Sequence, residues 1–280
     1  PFFPYLHYLE LHWPYCPPEA TRGRFSAGWE GREFCFQWRK LRNDLRSGAV
    51  VLSPEETAAM SARYDEELLA LDARLGKLFE ELRARGLWDE TLVILTSDHG
   101  EEFFEHGGMG HGTSLHDELI AVPLIVKPPT SWGAAIGVDI DALVELRDLA
   151  PTILDAAGAA NKGSGRSLLP YFFGEAPLAR EFVTSEDTVS VAVRTRDLKL
   201  IAAREGGGVE LYDLSDDPGE KTSVAAQRPD DVARLQGYLR QWRGELRPLE
   251  SMSTELDAET VEGLKSLGYV ECPEPRLECI

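Results

Sequence analysis

Apolar residues recur at helical spacing in one long stretch and crowd into short runs elsewhere. In "SPEETAAMSARYDEELLALDARLGKLFEELRARGL", Leu68, Leu71, Leu75, Leu78, Phe79 and Leu82 share one helical face. Ser53 stands where an N-cap belongs, Pro54 takes the first helical position and acids fill the first turn. The pattern therefore predicts a long helix that starts at Pro54 and stops at Gly86.

Short continuous apolar runs mark strands. "TLVILTS" (91–97) and "VPLIVKPP" (122–129) are of the kind found in a parallel sheet covered on both faces. Residues 2–9 are aromatic and apolar, which predicts a buried strand ending at Glu10. A loop follows in "HWPYCPPEA", whose prolines cannot extend a ladder, and residues 19–52 read as an irregular surface excursion. "LRDLAPTILDAAG" is a short helix closed by Gly158. This order of strands and helices argues for an α/β core. Beyond about residue 175 the texture alternates between apolar and polar around turn signals, predicting a small antiparallel sheet. "DDVARLQGYLRQWRGEL" then reads as an amphipathic helix and "ETVEGLKSLGYVE" as a short terminal one. Two domains are expected, 1–174 and 175–280.

Composition narrows the function classes. The net charge of -19 over 280 residues argues against nucleic acid or an anionic membrane as partner, since both call for a basic face. No run of about 18 apolar residues exists, so no membrane span is expected. Four cysteines, Cys16, Cys35, Cys272 and Cys279, lack the spacing of a zinc knuckle. Cys16 and Cys35 can pair in an exported protein and stay as free thiols otherwise. The opening has no initiator Met and no signal-peptide pattern, so the chain is expected to be a piece of a longer protein. Compartment and oligomeric state stay open.

Histidine placement is the sharpest chemical signal. Four of the six histidines fall between positions 99 and 116, directly after the strand "TLVILTS". Ligands bind at the carboxyl ends of strands in α/β sheets, where Asp98 and His99 stand. A carboxylate and an imidazole there offer an oxygen and a nitrogen to one divalent cation. His111, between Gly110 and Gly112, is placed to meet an anion or act as an acid. His106 reads better as a loop-stabilising hydrogen-bonding residue and His116 as a packing one. His12 follows the first predicted strand and faces the same crevice if both strands share a sheet. Together these residues suggest a hydrolase site for an anionic ester.

"YDEELLALDARLGKLFEELRARGLWDETLVILTSDHGEEFFEHG" resembles the sulfatase family of the alkaline phosphatase superfamily. The likeness continues through "GHGTSLHDELIAVPLIV", "DLAPTILDAAG", "GRSLLPYFFG", "VELYDLSDDPGE" and "LKSLGYV", and the opening is similar to the family's H-x-P-Y-x-P-P segment. The resemblance implies an alkaline-phosphatase-like mixed or parallel sheet sandwiched by helices. Residues 1–174 would then be the C-terminal part of the catalytic domain, and 175–280 a small C-terminal α+β subdomain with a helical tail. It implies that Asp98 and His99 ligate a divalent cation, Ca2+ by family habit with Mn2+ as the alternative that His99 favours. It also implies that His12 assists the leaving oxygen and that His111 binds the ester anion where many members have lysine. The substrate would be a small-molecule or glycan sulfate ester. A phosphodiester or phosphonate monoester of the same superfamily is the alternative, and an inactive truncated homologue a third. The family's nucleophile motif, Cys-x-Pro-x-Arg or Ser-x-Pro-x-Arg, matches none of the cysteines, and the first aspartate pair is absent. The chain on its own is therefore expected to be inactive.

Overall fold

The computed structural model describes residues 2–245 except 33, 36, 37, 113, 161, 162, 176–179 and 205. The predicted terminal helix "ETVEGLKSLGYVE", with Cys272 and Cys279, lies outside these residues. Residues up to Trp242 make one compact unit.

Helix α1 (Trp38–Arg46) interrupts the segment expected to be irregular. That segment is not purely surface, because Phe34 and Leu41 are buried with Trp13, Tyr15, Met60 and Met109. Helix α2 (Pro54–Ala84) begins as predicted. Ser53 Oγ accepts from Glu56 N and the Glu56 carboxylate accepts from Ser53 N, a reciprocal capping box. Gly86 follows with a positive φ of 66°. The leucine stripe that announced this helix is not its buried face, and Leu68 is 46% exposed. The buried positions are Ala59, Met60, Arg63, Glu66, Glu67 and Ala70. Glu66 Oε1 accepts from the Phe25 and Ser26 amides and the Ser26 hydroxyl, while Glu67 Oε1 accepts from Cys16 N. These carboxyl groups are inside because they satisfy backbone amides of the loops packed against the helix.

Strand β1 (Val93–Thr96) leads to the two-residue strands β2 (Glu102–Phe103) and β3 (Met109–Gly110), which pair with each other. Helix α3 (Asp117–Ile120) follows, then strand β4 (Leu124–Lys127). β1 and β4 pair antiparallel, Val93 opposite Lys127 and Thr96 opposite Leu124. Each run alone reads as a strand of a parallel sheet; this pair is antiparallel, as the mixed sheet also expected allows. The connection between them, residues 97–123, holds a short hairpin and one helical turn and, among the described residues, no long helix that would carry the chain back across the sheet for a parallel return. Nor are both faces covered, since Ile125 is 63% exposed. The first predicted strand also fails: residues 2–9 form no strand, and Phe2, Phe3, Tyr5 and Leu6 are exposed. No described strand edge pairs with them, and apolar side chains alone do not make a ladder.

Helix α4 (Leu149–Ala156) ends before Gly158, as its sequence predicts, and α5 (Leu169–Phe172) follows. Asp148, at the entry to α4, is fully buried; Arg180 and the Arg166 amide hold it. Strands β5 (Val183–Glu186), β6 (Ser190–Arg194), β7 (Leu198–Ala203) and β8 (Val209–Asp213) form the antiparallel sheet the alternation predicts, in sequential order. One face, with Val191, Val193, Leu198, Leu200 and Leu211, packs on Leu235, Leu239 and Trp242 of helix α6 (Pro229–Glu245). The other face sets Ala192, Ile201 and Tyr212 against Leu115 and Ile120, on the segment around α3. No described helix is long and apolar enough to cross a membrane.

Candidate active site

Asp98 and His99 stand just past β1, where the chain turns at Gly100. The turn is pinned: Gly100 N donates to Leu119 O at 2.8 Å, and a Cβ on Gly100 would lie 2.0 Å from the Glu118 carbonyl oxygen. Only glycine permits that approach between the strand end and α3. His99 Nδ1 donates to Gly100 O at 2.8 Å, which leaves Nε2 as the lone-pair nitrogen. Nε2 lies 3.8 Å from Asp98 Oδ1, so an oxygen and a nitrogen face the same space.

His111 reaches this point from the glycine-rich loop. Its ring centroid lies 4.1 Å from that of His99 and 5.1 Å from that of His12. His111 Nδ1 donates to Glu101 Oε1 at 3.0 Å. His12 Nδ1 donates to Trp13 O at 2.7 Å. All three imidazoles therefore spend Nδ1–H on a fixed acceptor and keep Nε2 for chemistry. The structure brings together His12, His99 and His111, three sequence-predicted residues, with Asp98 beside them. His12 arrives by a route the sequence did not suggest, from a turn closed by His12 N to Leu9 O rather than from a strand end. Burial lowers the His12 pKa below its ordinary value, and neighbouring His111 and His99 push the same way against the Trp13 carbonyl and Glu101.

Two residues beneath the histidines were missed. The Glu101 side chain is 5% exposed and orients His111. Fully buried Tyr15 has its phenol pKa raised well above normal, first by burial and then by Glu101. The acid following "DHG" was visible in the sequence, but its partner ten residues away was not. Cys16, next to Tyr15, is disulfide-bonded to Cys35, with Cα atoms 5.3 Å apart. The paired alternative thus holds, and no described cysteine is free.

A second histidine pair lies apart from this group. His106 and His116 stack with centroids 3.6 Å apart and planes 2° from parallel. With Glu118 they place three donor atoms within 4.8 Å of one another. Stacked rings point their in-plane lone pairs in parallel directions, so they do not converge on one ion. His106 is also spent, Nδ1 on the Glu118 carboxylate and Nε2 on Glu220 O at 2.9 Å. Burial opposes the charged form of His106, but the bonds to Glu118 and Glu220 prevail and raise its pKa. His106 and His116 are thus the hydrogen-bonding and packing residues they were expected to be.

The family model described as Sulfatase matches residues 1–159, and that described as N-sulphoglucosamine sulphohydrolase, C-terminal, matches residues 105–244. Arylsulfatase K of Bos taurus is 36% identical over 203 residues, 66% of this chain and 37% of that protein. The chain thus spans well under half the length of this relative. A phosphonate monoester hydrolase of Agrobacterium radiobacter superposes with a TM-score of 0.60 at 27% identity, over 69% of this chain and 42% of that one. A putative sulfatase from Bacteroides thetaiotaomicron gives a TM-score of 0.62 at 26% identity, over 68% and 44%.

Proposed function

Because the chain belongs to the sulfatase family, with that family's alkaline-phosphatase-like α/β fold, we propose that it carries one half of the active site of a sulfate ester hydrolase. The observation that supports this most directly is the convergence of His12, His99 and His111 beside Asp98. Residues 1–174 form the C-terminal part of the catalytic domain and 175–280 the appended subdomain; among the described residues the sheet β5–β8 pairs only among its own strands. The substrate is a small-molecule or glycan sulfate ester.

Asp98 and His99 fit a divalent cation. The carboxylate is 60% exposed, the imidazole keeps its Nε2 lone pair, and the two donor atoms are separated by 3.8 Å. A mixed oxygen and nitrogen set suits Mn2+ as well as Ca2+, the family's usual ion. Bound there, the cation supplies Lewis-acid polarisation of ester oxygens. The chain's own groups do the rest. His111, backed by Glu101, presents Nε2 to the ester anion and steadies it when protonated. His12 turns its Nε2 to the same space and, in its protonated form, gives that proton to the leaving oxygen as the ester bond breaks; its lowered pKa makes the protonated ring a stronger acid.

Titration calorimetry of the chain with Mn2+ and Ca2+ tests the metal half. Binding is expected in the parent sequence and in His12→Ala, and lost in Asp98→Asn and His99→Ala. Equal binding in all four would remove Asp98 and His99 as ligands. Inorganic sulfate should shift the Cε1–Hε1 NMR signals of His111 and His12. A response to phosphate but not to sulfate would transfer the site to the phosphoester branch.

A further inference from the structure

Lys199 is the buried charge that neither the fold nor the proposed site explains. It lies on β7 with no exposed surface, on the face opposite α6. Its ammonium is 2.8 Å from Asp117 Oδ1 and 2.8 Å from Glu220 Oε1. Neither carboxylate belongs to the sheet that carries the lysine. Asp117 opens helix α3, and Glu220, itself 1% exposed, follows the sheet in a left-handed conformation at φ 54°.

Each acceptor then grips the loop that bears the histidines. Glu220 Oε2 accepts from Asp117 N at 2.6 Å, and Glu220 O accepts from His106 Nε2. His106 pairs with Glu118, and its amide donates to Glu102 Oε1, which also takes Gly108 N. From α3 the path is one bond long: Leu119 O takes Gly100 N, and Gly100 adjoins His99. Arg194 on β6 joins Asp117 from the same sheet. The cluster balances its charges, so removing the ammonium leaves the buried Glu220 carboxylate without its cation, while Asp117, one-fifth exposed, keeps Arg194.

We propose that Lys199 is a positioning residue. Through Asp117 and Glu220 it sets α3 and the 100–110 loop, and thereby the places of His99 and His111. This rests on those histidines being the half-site proposed above. A lysine that only stabilised its own sheet would find its partners there, whereas these acceptors all belong to the segments that hold the loop.

The test uses the chain without metal or substrate. In Lys199→Met, amide exchange at Gly100 should accelerate at least tenfold while Leu200 and Leu211, in the sheet core, keep their protection. The Cε1–Hε1 signals of His99 and His111 should move in the same sample. Glu220→Gln, which keeps the shape and removes one charge, should show the same pattern and carries the test if the methionine variant does not fold. Unchanged exchange at Gly100 with unmoved histidine signals overturns the proposal. So does uniform acceleration at Gly100, Leu200 and Leu211, which would make Lys199 a support of the sheet alone. Because these readouts need no ligand, failure of Mn2+ binding would sink the functional assignment and leave this result standing.

Discussion

Glu67 should make the protein lose stability as pH rises through neutrality. Its carboxyl is 5% exposed on α2, one oxygen accepts from Cys16 N, and the other is buried without a partner. Burial raises its pKa from 4.5 to about 8, against the opposing Cys16 amide. Below pH 4.5 both folded and unfolded chains hold the proton, so the difference is flat. Between 4.5 and about 8 the unfolded chain has released it and the folded chain has not. Unfolding stability then falls by about 1.4 kcal/mol per pH unit, to a loss of at most about 5 kcal/mol. Glu67→Gln keeps an oxygen for the Cys16 amide and removes the titration. Urea denaturation of both proteins at pH 5, 6, 7 and 8, with the disulfide intact, gives the comparison. The wild type should fall progressively below the variant. Parallel pH profiles would mean that Glu67 ionises normally in the folded chain, and the argument from burial would fail.

The stacked histidines should titrate apart. His106, raised by Glu118 and the Glu220 carbonyl against burial, contributes stability fully present below pH 6.5 and lost as pH rises through its folded pKa. His116, lowered by burial and by His106, contributes stability present above pH 6.5 and lost as pH falls. In a pH series of NMR spectra, the Cε1–Hε1 signal of His106 should move at higher pH than that of His116, and the reverse order would refute the assignment. Gly100→Ala should cost roughly 2 kcal/mol or more in urea denaturation, because its Cβ would meet the Glu118 carbonyl oxygen at 2.0 Å. A near-neutral result would show that α3 yields to the strand end.

Local signals in the sequence carried well where cause and effect lie close together. Ser53 and Glu56 are three residues apart and built the capping box that fixes the start of α2. The alternation and turn signals beyond residue 175 became a small antiparallel sheet, because each position's neighbours lie on the adjacent strand. The aromatic run 2–9 misled because a strand requires an edge to pair with, and a run of side chains does not show whether one exists. The leucines of α2 announced the helix correctly but not its packing, since periodicity reveals a face and not what packs against it. That face is only partly buried, while Glu66 and Glu67, which look like solvated charges, are inside, bound to amides 40 and 51 positions away.

The same separation governs the site. Asp98 and His99 were legible because a strand end is a place in the sequence as well as in the fold. Their support was not. Glu101 finds His111 ten residues on, His12 meets His111 from the far side of α2, and Lys199 reaches Asp117 across 82 positions. A buried charge is tolerated only where its partners are already placed. Those partners come from segments far apart in the chain, and no pattern within any one segment announces them. What the sequence displays is therefore the groups proposed to meet a ligand. Glu101, Glu220 and Lys199 become intelligible only once folding has brought their acceptors and donors to them.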